Sequence, residues 1–176
     1  DLLASGKKHL IFIRSDLAYA EVYFVEDKPP QSVLQVPGAL DVTVEFTSMS
    51  KTFSMAGWRM GFAVGNERII AALARVKSYL DYGAFTPVQV AATAALNGPD
   101  DCIREMRDTY RKRRDALVES FGRAGWDIPP PQASMFAWAP LPKAFEAVGS
   151  MQFATLMVEK SGVVVSPGVA FGEHGE

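Results

Sequence analysis

Cysteine is nearly missing from this chain: Cys102 is the only one, which excludes an internal disulfide. Histidine is scarce as well. His9 and His174 stand far apart with no cysteine beside them, so a zinc site has no ligand set to draw on. No apolar run approaches the roughly 20 residues that cross a bilayer. The opening "DLLASGKKHL" also lacks the apolar stretch of a secretory signal. A reducing, cytoplasmic setting without a membrane partner is the expectation. Neither sign of charge dominates. The formal net charge is −2 and the pI is near 5.8, which gives no electrostatic reason to expect nucleic acid. The one basic run, Arg111-Lys112-Arg113-Arg114, lies in a helical pattern rich in acids and reads as a solvated helix face. Repeats and low-complexity segments are absent too.

What is present is the composition of a soluble globular protein, 48% hydrophobic and 22% charged over 176 residues. "HLIFIRSD" (9–16) is a β-branched apolar run of the kind buried on both faces of a parallel sheet. "DVTVEF" (41–46) and "MGFAVG" (60–65) read as two more strands, with no two-residue hairpin turn between them, which argues for an α/β sheet. Residues 66–80 have helical spacing, with Ile69, Leu73, Val76 and Leu80 on one face and Asn66 as N-cap. Pro87 opens a helix over 88–96. The longest helix spans roughly 101–124, acidic at its start and basic in its later turns. Gly125-Trp126 and the proline-rich "DIPPPQASMF" mark a domain boundary, giving units 1–125 and 126–176. Beyond it a strand (135–141), a helix (about 148–161) and a strand (162–168) are expected. The chain starts at Asp1 on what reads as a helix under way and stops at "FGEHGE", so it reads as an internal piece of a longer protein.

The stretch "TSMSKTFSMAGWRMGF" (47–62) places Lys51 among apolar residues, with Arg59 eight positions on. A lysine attacks a carbonyl only as the free amine, and an apolar setting or a nearby cation lowers its pKa. Arg59 with the hydroxyls of Ser48 and Ser50 would grip a phosphate through paired charge-assisted donors and neutral ones. A Schiff-base lysine beside such a grip points to pyridoxal 5'-phosphate (PLP). Taken alone, Ser-x-Ser-Lys is common, and Lys51 could be a snorkelling surface lysine. The balance shifts with "SDLAY" (15–19), which follows the first strand. PLP needs a carboxylate at its pyridine nitrogen, and Asp16 stands at the carboxyl end of a strand, where ligands of such sheets bind. Tyr19 could donate to the ring's phenolate oxygen, and Ala18 is small enough to lie flat under the ring. A turn-capping Asp16 and a core Tyr19 are the plain alternatives.

These residues carry a resemblance. "SMSKTFSMAGWRMGF" resembles the lysine motif of the class I/II PLP-dependent aminotransferases of fold type I. "SDLAY" is similar to their Asp-x-x-Tyr element, and "VVVSPGVAFGEHGE" to their late strand and loop. "SDLAYAEVYF", "QVPGA", "VEF" and "KSYLDYGAFTPVQVAA" look most like bacterial alanine aminotransferases and LL-diaminopimelate aminotransferase-like proteins.

The resemblance implies part of a large α/β domain, mostly parallel sheet with helices, followed by part of a smaller α+β C-terminal domain. It implies Lys51 as the catalytic Schiff-base lysine that moves the substrate proton. Asp16 would be the pyridine-nitrogen partner, Tyr19 the phenolate donor, and Ser48, Ser50 and Arg59 the phosphate ligands. Gly57 and Gly61 would allow close backbone approach. The expected activity is transamination between an alanine-like amino acid and a 2-oxo acid such as 2-oxoglutarate, in a homodimer with its site at the subunit interface. An arginine expected after "SPG-x-x-FG" to hold the substrate carboxylate does not occur before Glu176, so the 176 residues alone are expected to be inactive. The resemblance implies that an aspartate aminotransferase would place an arginine of the neighbouring subunit near segment 79–85; none occurs there, which argues against aspartate, since an unpaired buried carboxylate is costly. A β-lyase of the same fold, or an aminotransferase-like domain of a transcription regulator, are the alternatives.

Overall fold

A computed structural model describes residues 2–175. Helix α1 (Leu2–His9) leads into strand β1 (Ile13–Asp16). Strand β2 (Thr43–Ser48) runs directly into the short helix α2 (Met49–Thr52), and strand β3 (Gly61–Gly65) follows. Helices α3 (Glu67–Leu80), α4 (Thr86–Leu96), α5 (Asp101–Arg123) and α6 (Gly149–Ser161) complete the elements used below.

β2 is the middle strand of a sheet ordered β1-β2-β3. It pairs parallel with β1, Asp16 opposite Phe46, and antiparallel with β3, Ser48 opposite Gly61. The direction of the three strands has one consequence for function. The carboxyl ends of β1 and β2 and the amino end of β3 meet at one end of the sheet, so the segments 16–19, 48–51 and 59–61 converge there.

The first strand is shorter than the run "HLIFIRSD" and less buried. α1 extends through His9, Leu10 takes a left-handed backbone (φ 55) and Ile11 N–H donates to the Gly6 carbonyl at 2.9 Å. That helix end delays the extended backbone to residue 13. Ile13 is buried against Leu3 and Ala39, while Ile11, Phe12, Arg14 and Asp16 are exposed. α3 begins where expected: the Asn66 side chain accepts from Arg68 N–H (3.1 Å) and Ile69 N–H (3.3 Å), and its amide donates to the Leu40 and Asp41 carbonyls. Its apolar face is half-buried at Ile69 and Leu73 but exposed at Val76 and Leu80.

The described chain divides into two compact units, and the division falls within α5 at Lys112/Arg113. Residues 132–135 belong with the first unit. In the second, Trp126 packs edge-on against Phe121 and Phe153 at 5.0 and 5.4 Å, and its Nε1–H donates to the Pro140 carbonyl. The expected strands at 135–141 and 162–168 are not formed. An extended run becomes a strand only with a ladder partner, and these runs do not pair with each other. Pro140, Pro142 and Pro167 also remove backbone donors within or beside them.

Candidate active site

Side chains alternate across a strand, and the register of β1 on β2 sorts the two ends of the sequence motifs by face. Asp16, Phe46 and Ser48 share one face; Ser15, Glu45 and Thr47 share the other. Asp16 and Ser48 thus stand on the same face at the same end of the sheet. The backbone after β1 is fixed to β2 by the Leu17 N–H on the Phe46 carbonyl (2.8 Å) and by the Thr47 hydroxyl on the Leu17 carbonyl (3.4 Å). Asp16 closes a local turn, its Oδ1 accepting from Ala18 N–H at 3.3 Å.

Ser48 caps α2: its Oγ accepts from the Ser50 N–H at 3.2 Å and keeps its own proton to donate. Lys51 follows on α2, half-buried, and its Nζ stands 5.4 Å from the centroid of the Tyr19 ring. The structure therefore brings together the lysine of one motif and the tyrosine of the other. Tyr19 is held from behind by a small core of Val22, Phe24 and Met106, with Ile103 and Tyr110 packed on it. Ser50 is buried, at 8% exposure, and lies deeper than Ser48.

Arg59 is held in a left-handed backbone (φ 53), costly for a residue with a Cβ. Its guanidinium is exposed and donates to the Ala56 carbonyl at 3.0 Å. The glycine two residues on explains how this loop closes onto β2. A Cβ on Gly61 would stand 2.7 Å from the Thr47 carbonyl oxygen, so the strands meet there only because the side chain is missing. Gly57 does not share that role: a Cβ there would meet nothing within 4 Å, because its loop is open to solvent.

Among the described residues, Asp16, Lys51 and Arg59 form no ion pair, whereas Arg104, Arg107, Arg111, Arg114 and Arg123 all do. An amine, a carboxylate and a guanidinium lacking carboxylate or cation partners, beside a phenol and a free-to-donate hydroxyl, are the donor set that a flat, phosphorylated, cationic-ring aldehyde requires. The residues present fit PLP.

Sequence reasoning missed Glu45 and Arg107. Glu45 is buried in β2 and accepts from the Ser15 hydroxyl (3.0 Å), the Ser32 hydroxyl (2.7 Å) and the Val33 N–H (3.1 Å). Its signal was available, since an acid inside "DVTVEF" must be satisfied if the strand is buried. Arg107 on α5 donates to Glu21 and lies over the Tyr23 ring. No local pattern marks that contact. Among the described residues no cluster of histidine, cysteine or carboxylates could hold a metal, and no helix is long and apolar enough to cross a membrane.

The family model for aminotransferase class I and II matches residues 1–176. The chain is 66% identical over 176 residues to the putative aminotransferase AatC of Rhizobium meliloti (strain 1021), covering all of this chain and 43% of that protein. It is 48% identical over 175 residues to the glutamate-pyruvate aminotransferase AlaC of Escherichia coli (strain K12), covering 99% of this chain and 42% of that one. The apo-BacF structure from Bacillus subtilis superposes with a TM-score of 0.92 at 38% identity, over 99% of this chain and 46% of that one. The chain thus spans less than half the length of the curated relatives it matches.

Proposed function

The chain belongs to the class I and II aminotransferases, and from that premise we propose that the protein is a PLP-dependent transaminase in which Lys51 is the reactive amine. The observation that carries this reading is the gathering of Asp16, Ser48, Lys51 and Arg59 at one end of the sheet, with the three charged groups unpaired among the described residues.

PLP, when bound, supplies an aldehyde and an electron-withdrawing ring, which makes the α-proton of an amino acid acidic. Asp16 would hold the ring nitrogen in its protonated form, since a carboxylate favours the cation beside it. Arg59 and Ser48 would hold the phosphate, the guanidinium through paired donors and the hydroxyl through one. Ser50, being buried, would contribute chiefly through its N–H on Ser48. Ala18 would lie under the ring and Tyr19 would donate to its phenolic oxygen. Lys51, once released by the incoming amino acid, would carry the proton from the substrate α-carbon to the cofactor carbon and back. Its place 5.4 Å from the Tyr19 ring supports this reading, since the amine would lie beside the phenol that would orient the cofactor.

We place alanine-like amino acids and a 2-oxo acid such as pyruvate or 2-oxoglutarate as the substrates. The likeness to AlaC supports this, as does the absence of any arginine in 79–85. Asp81, the carboxylate that could meet a second ammonium of a longer substrate, is already engaged by Lys77 Nζ and the Gly83 N–H. The same segment supports a homodimer: Tyr79, Leu80, Tyr82 and Phe85 are all at least 74% exposed, and so large an apolar run calls for a partner surface. The exposed thiol of Cys102 suits a reducing compartment, and we place the protein in the cytoplasm.

The test is the full-length protein that contains this chain, loaded with PLP, its visible absorption band and its conversion of alanine with 2-oxoglutarate; the 176 residues alone should not turn over. Lys51→Ala should remove the lysine-dependent band and lower turnover by at least about 10³-fold. A Lys51→Ala protein with the band and turnover of the parent would end the proposal. With a β-substituted amino acid such as β-chloroalanine in place of alanine, pyruvate and ammonia formed without any 2-oxo acid would mark elimination instead.

A further inference from the structure

We infer that Arg107 is a positioning residue for Tyr19, acting through the 17–24 turn; this rests on the functional reading above. Arg107 lies on the first-unit part of α5 and its side chain is only 16% exposed. It makes three contacts at once. Its Nε–H donates to the Glu21 carbonyl at 3.1 Å, its Nη2–H donates to the Glu21 Oε2 at 2.8 Å, and its guanidinium carbon stands 3.8 Å from the centroid of the Tyr23 ring. The fork therefore fixes both the main chain and the side chain of Glu21, and the guanidinium lies over the ring of Tyr23, two residues on.

The path from there to Tyr19 is short. Val22, between Glu21 and Tyr23, is fully buried against Met106, the neighbour of Arg107 on α5. The Val22 N–H donates to the Tyr19 carbonyl at 3.0 Å, and the Ala20 N–H to the Leu17 carbonyl at 3.2 Å. Tyr19 itself packs on the same Val22, Phe24 and Met106 core. On the far side, the Ser134 N–H donates to the Val22 carbonyl and the Phe24 N–H to the Gln132 carbonyl. The turn that presents the Tyr19 phenol is thus anchored at its start by β2, and after Ala20 by Arg107 and residues 132–134. Lysine cannot replace this: a point charge meets one acceptor well, while the planar fork meets two and stacks.

With PLP bound, the Tyr19 phenol would donate to the ring oxygen and lower the negative charge there, which would otherwise favour a proton on the Lys51 nitrogen. Loosening Tyr19 should therefore raise the pH at which the visible band changes.

The experiment compares parent, Arg107→Met, Arg107→Lys and Glu21→Gln, with Phe153→Leu as a destabilised variant from the other unit. In PLP-free protein, amide hydrogen exchange over 17–24 should speed up about tenfold in Arg107→Met and less in Arg107→Lys. In loaded protein, the band of Arg107→Met should change at higher pH than in the parent, with PLP bound about tenfold more weakly. If Arg107→Met does not fold, Arg107→Lys and Glu21→Gln carry the same two measurements with smaller shifts. The inference is overturned if exchange and band are those of the parent, or if Phe153→Leu at matched Tm reproduces both changes. Failure of the functional reading looks different: Lys51→Ala would keep the band, whatever Arg107 does.

Discussion

Removing the Glu45 carboxylate should destabilise the protein far more than neutralising it. The group is 9% exposed and accepts three hydrogen bonds: Oε2 from the Ser15 hydroxyl and the Val33 N–H, Oε1 from the Ser32 hydroxyl. Two of the donors can turn away when the acceptor is lost, because a hydroxyl rotates. The Val33 N–H cannot, and it opens a 3₁₀ turn whose cap is Ser32. A bond to a charged group contributes about 1.5–3 kcal/mol, and an orphaned donor costs about 1–3 kcal/mol. Glu45→Ala loses the charge-assisted set, orphans one backbone donor and leaves a hole, for a total of roughly 3–5 kcal/mol. Glu45→Gln keeps one oxygen, which can serve Ser15 and Val33 while the amide donates to Ser32, so it should cost only about 1–2 kcal/mol. Urea unfolding of the two variants against the parent measures this as a shift in midpoint, about 1.5–2.5 M for the alanine variant at a slope near 2 kcal/mol/M. Faster amide exchange at Val33 in Glu45→Ala gives a local check. Equal midpoints for Ala and Gln, or an alanine variant within about 1 kcal/mol of the parent, would refute the claim that the three bonds hold this segment.

Two further outcomes follow from single observations. Gly61→Ala should cost about 2–4 kcal/mol and weaken PLP binding, because its Cβ would press on the Thr47 carbonyl beside Ser48, while Gly57→Ala should be neutral or gain up to about 1 kcal/mol; thermal melts in which the two behave alike would contradict this. The Asp81 carboxyl is held below its ordinary 3.8 by the Lys77 ammonium that donates to it and by the Gly83 N–H. Its folded value lies below its unfolded one, so this contribution is present above 3.8 and is lost as pH falls through the lowered value. The Tm gap between parent and Asp81→Asn should accordingly close on acidification, and a gap of constant size from about pH 6 to about pH 2 would count against it.

The motifs that announced this site share a property that makes them readable: each places a polar group where local rules disfavour it. Lys51 sits in an apolar stretch, Asp16 ends a β-branched run, and Arg59 stands in the same apolar stretch eight positions after Lys51. Such breaches persist when a function needs them. The strands β2 and β3 and the helices α3, α4 and α5 were equally legible, since periodicity, Asn66 and Pro87 all act locally, whereas the single-turn helix α2 that carries Lys51 is too short to leave a periodic pattern. The extended runs 135–141 and 162–168 were misread for the opposite reason: a strand is a property of a pair, and composition says nothing of the partner.

Glu45 and Arg107 belong to that second class, because their meaning lies in residues 12–13 and 86 positions away. Yet they tie down what the readable residues only supply. Glu45 links β2 through Ser15 to the strand that ends in Asp16, and Arg107 fastens the turn that carries Tyr19. An aldehyde-binding lysine is of use only if the ring it grips is held within a fraction of an ångström, and that precision comes from the shell behind the site. The chemistry is therefore written in short motifs and its geometry in distant pairs. If the site holds PLP as proposed, substitutions at Glu45, Gly61 and Arg107, none of which would touch the reacting atoms, should alter how tightly PLP is held while leaving the identity of the reaction unchanged.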